Sequence, residues 1–313
     1  MDRPDVSRRN ILLGVAAAAT AAAPAAARPR GKVAPESKLA GIDRSEERIL
    51  VGPGGQQFRI QIGQPHPVQK DLPLMIRGRK PVPIYVLDGT DNFPIVAGLT
   101  RMMQWGGSVP PCLIVGIAYA DAEKADKADR RALDLTPSPN GPSGGRRFGG
   151  GAEFRAFIAT KIKPLIESEF EVDAAQSTLV GHSFGGLFVL DTAVQQPDLF
   201  ANLLALSPSL WFDKNLVLEQ MKEALKKGAR FPQTVVLAGD HEQRITRADY
   251  NMTRNVEILA THAAASGRSD RIFARVLEDT SHHTIQGPGY TFGLRKLLDP
   301  TPPVIGAGCV VGI

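Results

Sequence analysis

The residues that could do chemistry begin with Gly181-His182-Ser183-Phe184-Gly185, which fits the G-x-S-x-G pattern. In that pattern a sharp strand-to-helix turn lifts a serine hydroxyl above a sheet. The flanking glycines have a steric purpose, since a side chain at either would collide with the neighbouring strand or helix. A serine hydroxyl is a poor nucleophile at neutral pH, so Ser183 needs a base within hydrogen-bond reach, and that base needs an orienting acid. Of the six histidines, His66 lies far before the turn between Pro65 and Pro67, His182 points the wrong way to serve its own neighbour, His241 sits among the acid candidates, and His262 is in the middle of a helical run. His282 and His283 remain, after a late strand. The acid belongs at the end of an intervening strand, where Gly239-Asp240-His241-Glu242 offers Asp240 or Glu242. Serine, acid and histidine then follow one another in the chain order this chemistry uses. The residues alone leave both the acid and the histidine as a choice of two.

These groups need strands and helices to hold them. Ser177 to Val180 reads as a short buried strand, and Gly186 to Val194 as a helix stopped by Pro197, so the serine stands at the required junction. Upstream, Glu47 to Val51 and Gln57 to Ile62 alternate on either side of Gly52-Pro53-Gly54-Gly55, predicting two antiparallel strands. Val82 to Leu87 and Cys112 to Ala118 are apolar runs, as strands buried on both faces are. A helix is predicted from Pro94 to Gln104, and Tyr119 to Gly151 reads as a long irregular loop. Glu153 to Glu167 is an amphipathic helix that Pro164 must kink or divide. Leu203 to Leu206 reads as a strand, Asp213 to Lys227 as a helix with Asp213 as its cap, and Thr234 to Ala238 as a strand. A helix from Tyr250 to Ala265, a strand from Ile272 to Leu277 and a helix from Tyr290 to Leu298 complete the series. Strands and helices alternating from residue 82 predict an α/β domain with a mostly parallel sheet covered on both faces, an antiparallel N-terminal edge, and binding sites above the strand C-termini.

A chain of 313 residues with 43% hydrophobic content suits one large domain and excludes disorder throughout. Residues 1–30 stand apart. Ser7-Arg8-Arg9-Asn10 precedes an alanine-rich apolar run and small residues ending at Ala27, the pattern of a twin-arginine export signal. The run from Leu12 to Ala23 is shorter than the ~20 residues a membrane span needs. The expected organisation is a signal over 1–30, a linker over 31–44, a catalytic domain over 45–298 and a loosely ordered tail over 299–313. The expected location is the periplasm or the outside of the cell, reached through the twin-arginine export machinery. A net charge of +5 favours acidic ligands but is too sparse for a nucleic-acid partner. Cys112 in a buried strand and Cys309 in the tail predict no structural disulfide and no cysteine metal site.

Four motifs together carry a resemblance: Tyr85-Val-Leu-Asp-Gly89, Asp134-Leu-Thr-Pro137, Gly181-His-Ser-Phe-Gly-Gly186 and Ser207-Pro-Ser-Leu-Trp211. With them the chain resembles the putative-esterase family of α/β-hydrolases over about residues 45–298, particularly its branch of trilactone siderophore esterases. That branch usually has a second tryptophan where this chain has Phe212. The resemblance implies an α/β-hydrolase fold and places the acid on Glu242, three residues after Gly239. It selects His282 as the base, with His283 standing where a small residue is usual. It also implies an oxyanion hole made by the backbone N–H groups of Thr90 and Phe184. Trp211, after a strand end, would wall an acyl or aryl pocket, although packing is the commoner use of a lone tryptophan. Arg130 and Arg131 would either draw in a catecholate or iron chelate through charge and bidentate hydrogen bonds or form a solvated surface pair.

The expected activity is hydrolysis of a small-molecule carboxylic ester through an acyl-enzyme, with no metal or organic cofactor required, and the resemblance implies a ferric or iron-free ester-linked (trilactone) siderophore as the substrate. The competing expectations are a carbohydrate acetyl or feruloyl esterase, an acyltransferase, or a binding protein on the same scaffold.

Overall fold

The computed structural model describes residues 41–67, 72–120, 127–142, 144–242 and 250–300. The stretch 1–30 read as an export signal lies outside the described residues, as do 31–40 of the linker and 301–313 of the tail with Cys309. The chain opens with β1 (Ser45–Val51) and β2 (Gln57–Gly63), paired antiparallel with Ser45 opposite Gly63. Then come β3 (Val82–Leu87), α1 (Gly89–Trp105), β4 (Cys112–Tyr119), α2 (Lys127–Asp134), α3 (Gly151–Phe157) and α4 (Lys163–Glu169). The second half runs β5 (Thr178–His182), α5 (Phe184–Gln195), β6 (Asn202–Leu206), α6 (Phe212–Lys226), β7 (Gln233–Gly239), α7 (Met252–Ala265), β8 (Ile272–Leu277) and α8 (Gln286–Leu298).

Among the described residues, eight strands form one sheet in the order β1-β2-β4-β3-β5-β6-β7-β8. Every neighbouring pair from β4 to β8 is parallel, and β2 joins β4 antiparallel. All residues of β3, β4, β5 and β6 are buried, which is why these strands read as apolar runs rather than alternating ones. Successive side chains still part to opposite faces. Ile84, Val86, Val180, Leu204 and Leu237 pack with Phe93, Val96, Tyr290 and Leu294 of α1 and α8. Tyr85, Leu179, Leu203 and Val236 pack with Phe154, Phe188, Met221 and Leu259 on the other face.

From β3 the chain moves outward to β4, returns to β5 on the other side of β3, and proceeds outward to β8. The boundary between β3 and β5 is therefore a topological switch point, where α1 and α5 start from adjacent strands. In such sheets a ligand crevice opens at this boundary, outside the strand C-termini.

Several boundaries differ from the sequence reading. Helix α1 begins at Gly89 rather than Pro94, because Asp88 turns in the left-handed region (φ 54°, ψ 47°) and starts the helix as soon as β3 ends. The stretch 119–151 is not irregular throughout, since it contains α2. Pro164 does divide its helix: a wide turn over Ile158–Ile162 separates α3 from α4, and the N–H of Lys163 reaches back five residues to the carbonyl of Ile158. Asp213 does not cap α6. It takes φ 46°, and its carboxylate accepts hydrogen bonds from Ser138 Oγ at 2.5 Å and Asn140 Nδ2 at 3.2 Å, tying the loop after α2 to the start of α6. Cys112 is a buried free thiol.

Candidate active site

Ser183 joins β5 to α5 with φ 60° and ψ −118°, a region that non-glycine residues rarely occupy. Neighbouring backbone holds it there. Its N–H donates to the carbonyl of Leu206 at 3.0 Å, and its own carbonyl accepts from the N–H groups of Ser209 at 3.1 Å and Leu187 at 2.9 Å. Strain of this kind persists where the surroundings over-determine it, and it is characteristic of functional sites. The glycines permit the turn, but not quite the pair expected. A Cβ at Gly181 would sit 2.4 Å from the carbonyl oxygen of Gly185, and one at Gly186 would sit 2.9 Å from that of Leu206. A Cβ at Gly185 would meet nothing closer than 3.4 Å. Gly181→Ala should therefore destabilise the protein by about 1–3 kcal/mol, the usual cost of overpacking. In a thermal melt its Tm should fall well below that of Gly185→Ala, which should stay near wild type.

Above the strand ends, Ser183 Oγ lies 3.1 Å from Nε2 of His282, and Nδ1 of His282 lies 3.0 Å from Oε2 of Glu242. Glu242 is fully buried and His282 largely so. The second carboxylate oxygen of Glu242 accepts from Ser207 Oγ and from the N–H of Gly239 at 3.2 Å. Burial alone would raise the pKa of Glu242, but the hydrogen bonds from His282 and Ser207 hold it below the ordinary glutamate value. An ionised carboxylate can only accept, so Nδ1 of His282 must carry the proton. Its Nε2 is then an acceptor facing the Ser183 hydroxyl, which is the tautomer a general base needs.

The rival residues do not join this chain of hydrogen bonds. Asp240 is spent on the histidine loop, where its carboxylate accepts from the N–H of Thr280 at 3.1 Å. His283 is exposed, and His241 lies beside Asp240 with 3.6 Å between them. His66 packs against Trp105, and Nδ1 of His262 bonds the carbonyl of Ile258 one helical turn back.

Thr90 is the second residue of α1 and Phe184 the first of α5, so the structure places both N–H groups in first helical turns that flank the switch point. Such N–H groups lack intrahelical acceptors. Arg131 forms a two-point ion pair with Asp88, Nε to Oδ1 at 2.6 Å and Nη2 to Oδ2 at 2.8 Å, and also donates to the carbonyl of His182 at 3.2 Å. The guanidinium thus braces the turn before Thr90 and lies over the ring of Phe184. Arg130 is turned elsewhere, onto Asp134 and the carbonyl of Pro53. Trp211 stacks flat on Tyr250, centroids 3.9 Å apart and planes 5° apart, and meets Phe184 at a tilt with 6.0 Å between centroids. Phe148, from the loop that Asp213 anchors, closes against Phe184 and Phe212. Tyr250, Phe148 and Ser207 were missed in the sequence. Only Ser207 carried a signal, standing in a quoted motif right after β6.

The putative-esterase family model matches residues 61–284. The chain belongs to that family. It is accordingly a carboxylic-ester hydrolase, and its mixed, mostly parallel sheet is the α/β-hydrolase fold. A relative, the siderophore triacetylfusarinine C esterase of Aspergillus fumigatus, is 32% identical over 280 residues, covering 80% of this chain and 95% of that protein. The siderophore enterobactin esterase of Emericella nidulans is 28% identical over 252 residues, 70% of this chain and 83% of its own. Among solved structures, the siderophore hydrolase EstB from Aspergillus nidulans superposes with a TM-score of 0.72 at 24% identity, over 85% of this chain and 99% of that one, a likeness of fold.

Proposed function

We propose that this esterase cleaves an ester-linked siderophore by serine catalysis. The observation that carries the reading is the continuous chain Ser183–His282–Glu242, with contacts of 3.1 and 3.0 Å, whose serine stands at the β3/β5 switch point while the acid and the histidine follow β7 and β8. Ser183 Oγ attacks the ester carbonyl while Nε2 of His282 takes its proton, and Glu242 stabilises the imidazolium that forms. The negative charge on the carbonyl oxygen rests on the N–H groups of Thr90 and Phe184. Collapse of this intermediate breaks the C–O ester bond, and His282 returns the proton to the leaving alcohol. Water then attacks the acyl-enzyme, giving a proton to His282, and the serine ester breaks to release the acid and regenerate Ser183.

The siderophore substrate is supported by the named activities of the relatives that span most of the chain. The run of aromatic rings from Phe184, the residue after the serine, to Trp211 and Tyr250 suits a flat or extended acyl group. Arg131 serves this site by holding the Asp88 turn, its charge balanced by the Asp88 carboxylate. Export by the twin-arginine route, supported by Arg8 and Arg9 ahead of the apolar run, would put the enzyme in the periplasm or outside the cell.

A panel of catecholate trilactones, hydroxamate ester siderophores, aryl esters and acetylated sugars, read by mass spectrometry, tests the substrate. Cleavage of a siderophore ester at the highest kcat/KM is expected. Preference for the sugar esters would sink this reading.

A further inference from the structure

His182 ends β5 immediately before Ser183. Its Nε2 lies 2.6 Å from the backbone carbonyl oxygen of His282. A carbonyl only accepts, so Nε2 of His182 must be protonated and must be the donor. The two imidazoles lie against each other, with centroids 4.5 Å apart, and His182 is only 6% exposed. Burial, followed by the neighbouring His282, pushes the His182 pKa down to about 3, so the ring stays neutral in the working range.

The loop carrying His282 is otherwise tied at its base. The N–H of Thr280 donates to Asp240 and its carbonyl accepts from the N–H of His241 at 2.9 Å, while the N–H of Ser281 donates to Thr284 Oγ1 at 2.8 Å. The contact from His182 falls on the peptide of His282 itself. It comes from the residue covalently joined to the serine, so the two ends of the 3.1 Å Ser183–His282 contact share one short connection.

We propose that His182 is the positioning residue that fixes the His282 imidazole against Ser183, by holding the His282 carbonyl with its Nε2–H. Its kinetic consequence rests on the esterase reading above; the tie itself does not. Loss of the tie leaves a carbonyl without its donor and frees the peptide that carries the base. A displacement of about 1 Å in such a site can cost on the order of 100-fold in rate.

The test compares His182→Phe, which keeps a ring and loses the donor, with His182→Gln, whose amide nitrogen falls near the position of Nε2. Three readouts are taken: kcat and KM for p-nitrophenyl butyrate, the rate of phosphorylation by diisopropyl fluorophosphate with loss of fluoride, and the low-field proton resonance of His282 Nδ1–H. The Phe variant should lose about tenfold to 100-fold in kcat with KM nearly unchanged, be phosphorylated more slowly by a similar factor, and show a shifted or broadened resonance. The Gln variant should recover most of each. If the Phe chain does not fold, His182→Asn takes its place, because its shorter amide falls at the Nδ1 position and cannot reach the carbonyl. A donor-less variant with wild-type kcat and an unmoved resonance would overturn the proposal, as would equal loss in the Gln and donor-less variants. Wild-type protein that turns over no ester would instead defeat the esterase reading, while the resonance still decides whether His182 holds the loop.

Discussion

Replacement of Ser183 by alanine should lower kcat on p-nitrophenyl butyrate by on the order of a millionfold, with KM and Tm close to wild type. The size follows from the arrangement. Ser183 is the group that Nε2 of His282 faces at 3.1 Å, and nothing else on the elbow can supply the attacking oxygen. Ser209 Oγ lies 3.4 Å from Ser183 Oγ, but it is buried and is not the hydroxyl that His282 contacts. Residual turnover in the variant would come from water attacking an ester whose carbonyl oxygen rests on the N–H groups of Thr90 and Phe184, which is slow because that water lacks the serine's fixed position. A loss smaller than about 100-fold would mean that another group performs the attack.

The second large effect is expected at Glu242. In Glu242→Gln, the amide oxygen should take the place of Oε1, because Ser207 Oγ and the N–H of Gly239 both donate there. The amide nitrogen is then left facing Nδ1 of His282. That nitrogen must become an acceptor, so the ring proton moves to Nε2, where the imidazole can no longer accept the proton of Ser183. Both the wrong tautomer and the lost negative charge oppose formation of the imidazolium, and together they should lower kcat by on the order of 10,000-fold. Asp240→Asn should cost only a few-fold, since its carboxylate serves the backbone N–H of Thr280 and an amide oxygen can do the same. Steady-state kinetics on the two variants decides between them. A larger loss in the Asp240 variant would reassign the acid.

The parts of this arrangement legible in the sequence were those set by local pattern. The apolar runs over Val82–Leu87 and Cys112–Ala118 announced doubly covered strands, and the alternation with helices gave the parallel sheet. Glycines around Ser183 located the elbow, although Gly186 rather than Gly185 is the second one under steric pressure. The parts that stayed hidden depend on partners far apart in the chain. Whether Asp240 or Glu242 faces the histidine depends on how the chain leaves β7. The N–H of Asp240 still pairs with the carbonyl of Leu277 in the sheet, and only two residues later does the carboxylate turn beneath His282. The charge-rich helix α2 has Arg131 paired with Asp88 and Arg130 lying over Pro53, contacts of 43 and 77 residues' separation that no local window contains. Asp213 looked like a helix cap by its type and place, yet Ser138 and Asn140 draw its carboxylate away. His182 cannot serve as base to its own serine, so its residue type and place alone show no role for it. Its partner is a backbone carbonyl 100 residues later, and a sequence does not display carbonyl directions.

Peptide mapping by mass spectrometry, after acid quench of the protein during steady-state turnover of an ester, tests most directly whether Ser183 is the nucleophile. An acyl group is expected on the peptide that contains Ser183, absent from Ser183→Ala, appearing with the burst of alcohol release expected when acylation outpaces deacylation. An acyl group on a different peptide, or rapid turnover with no covalent adduct and no burst across several esters, would contradict that role.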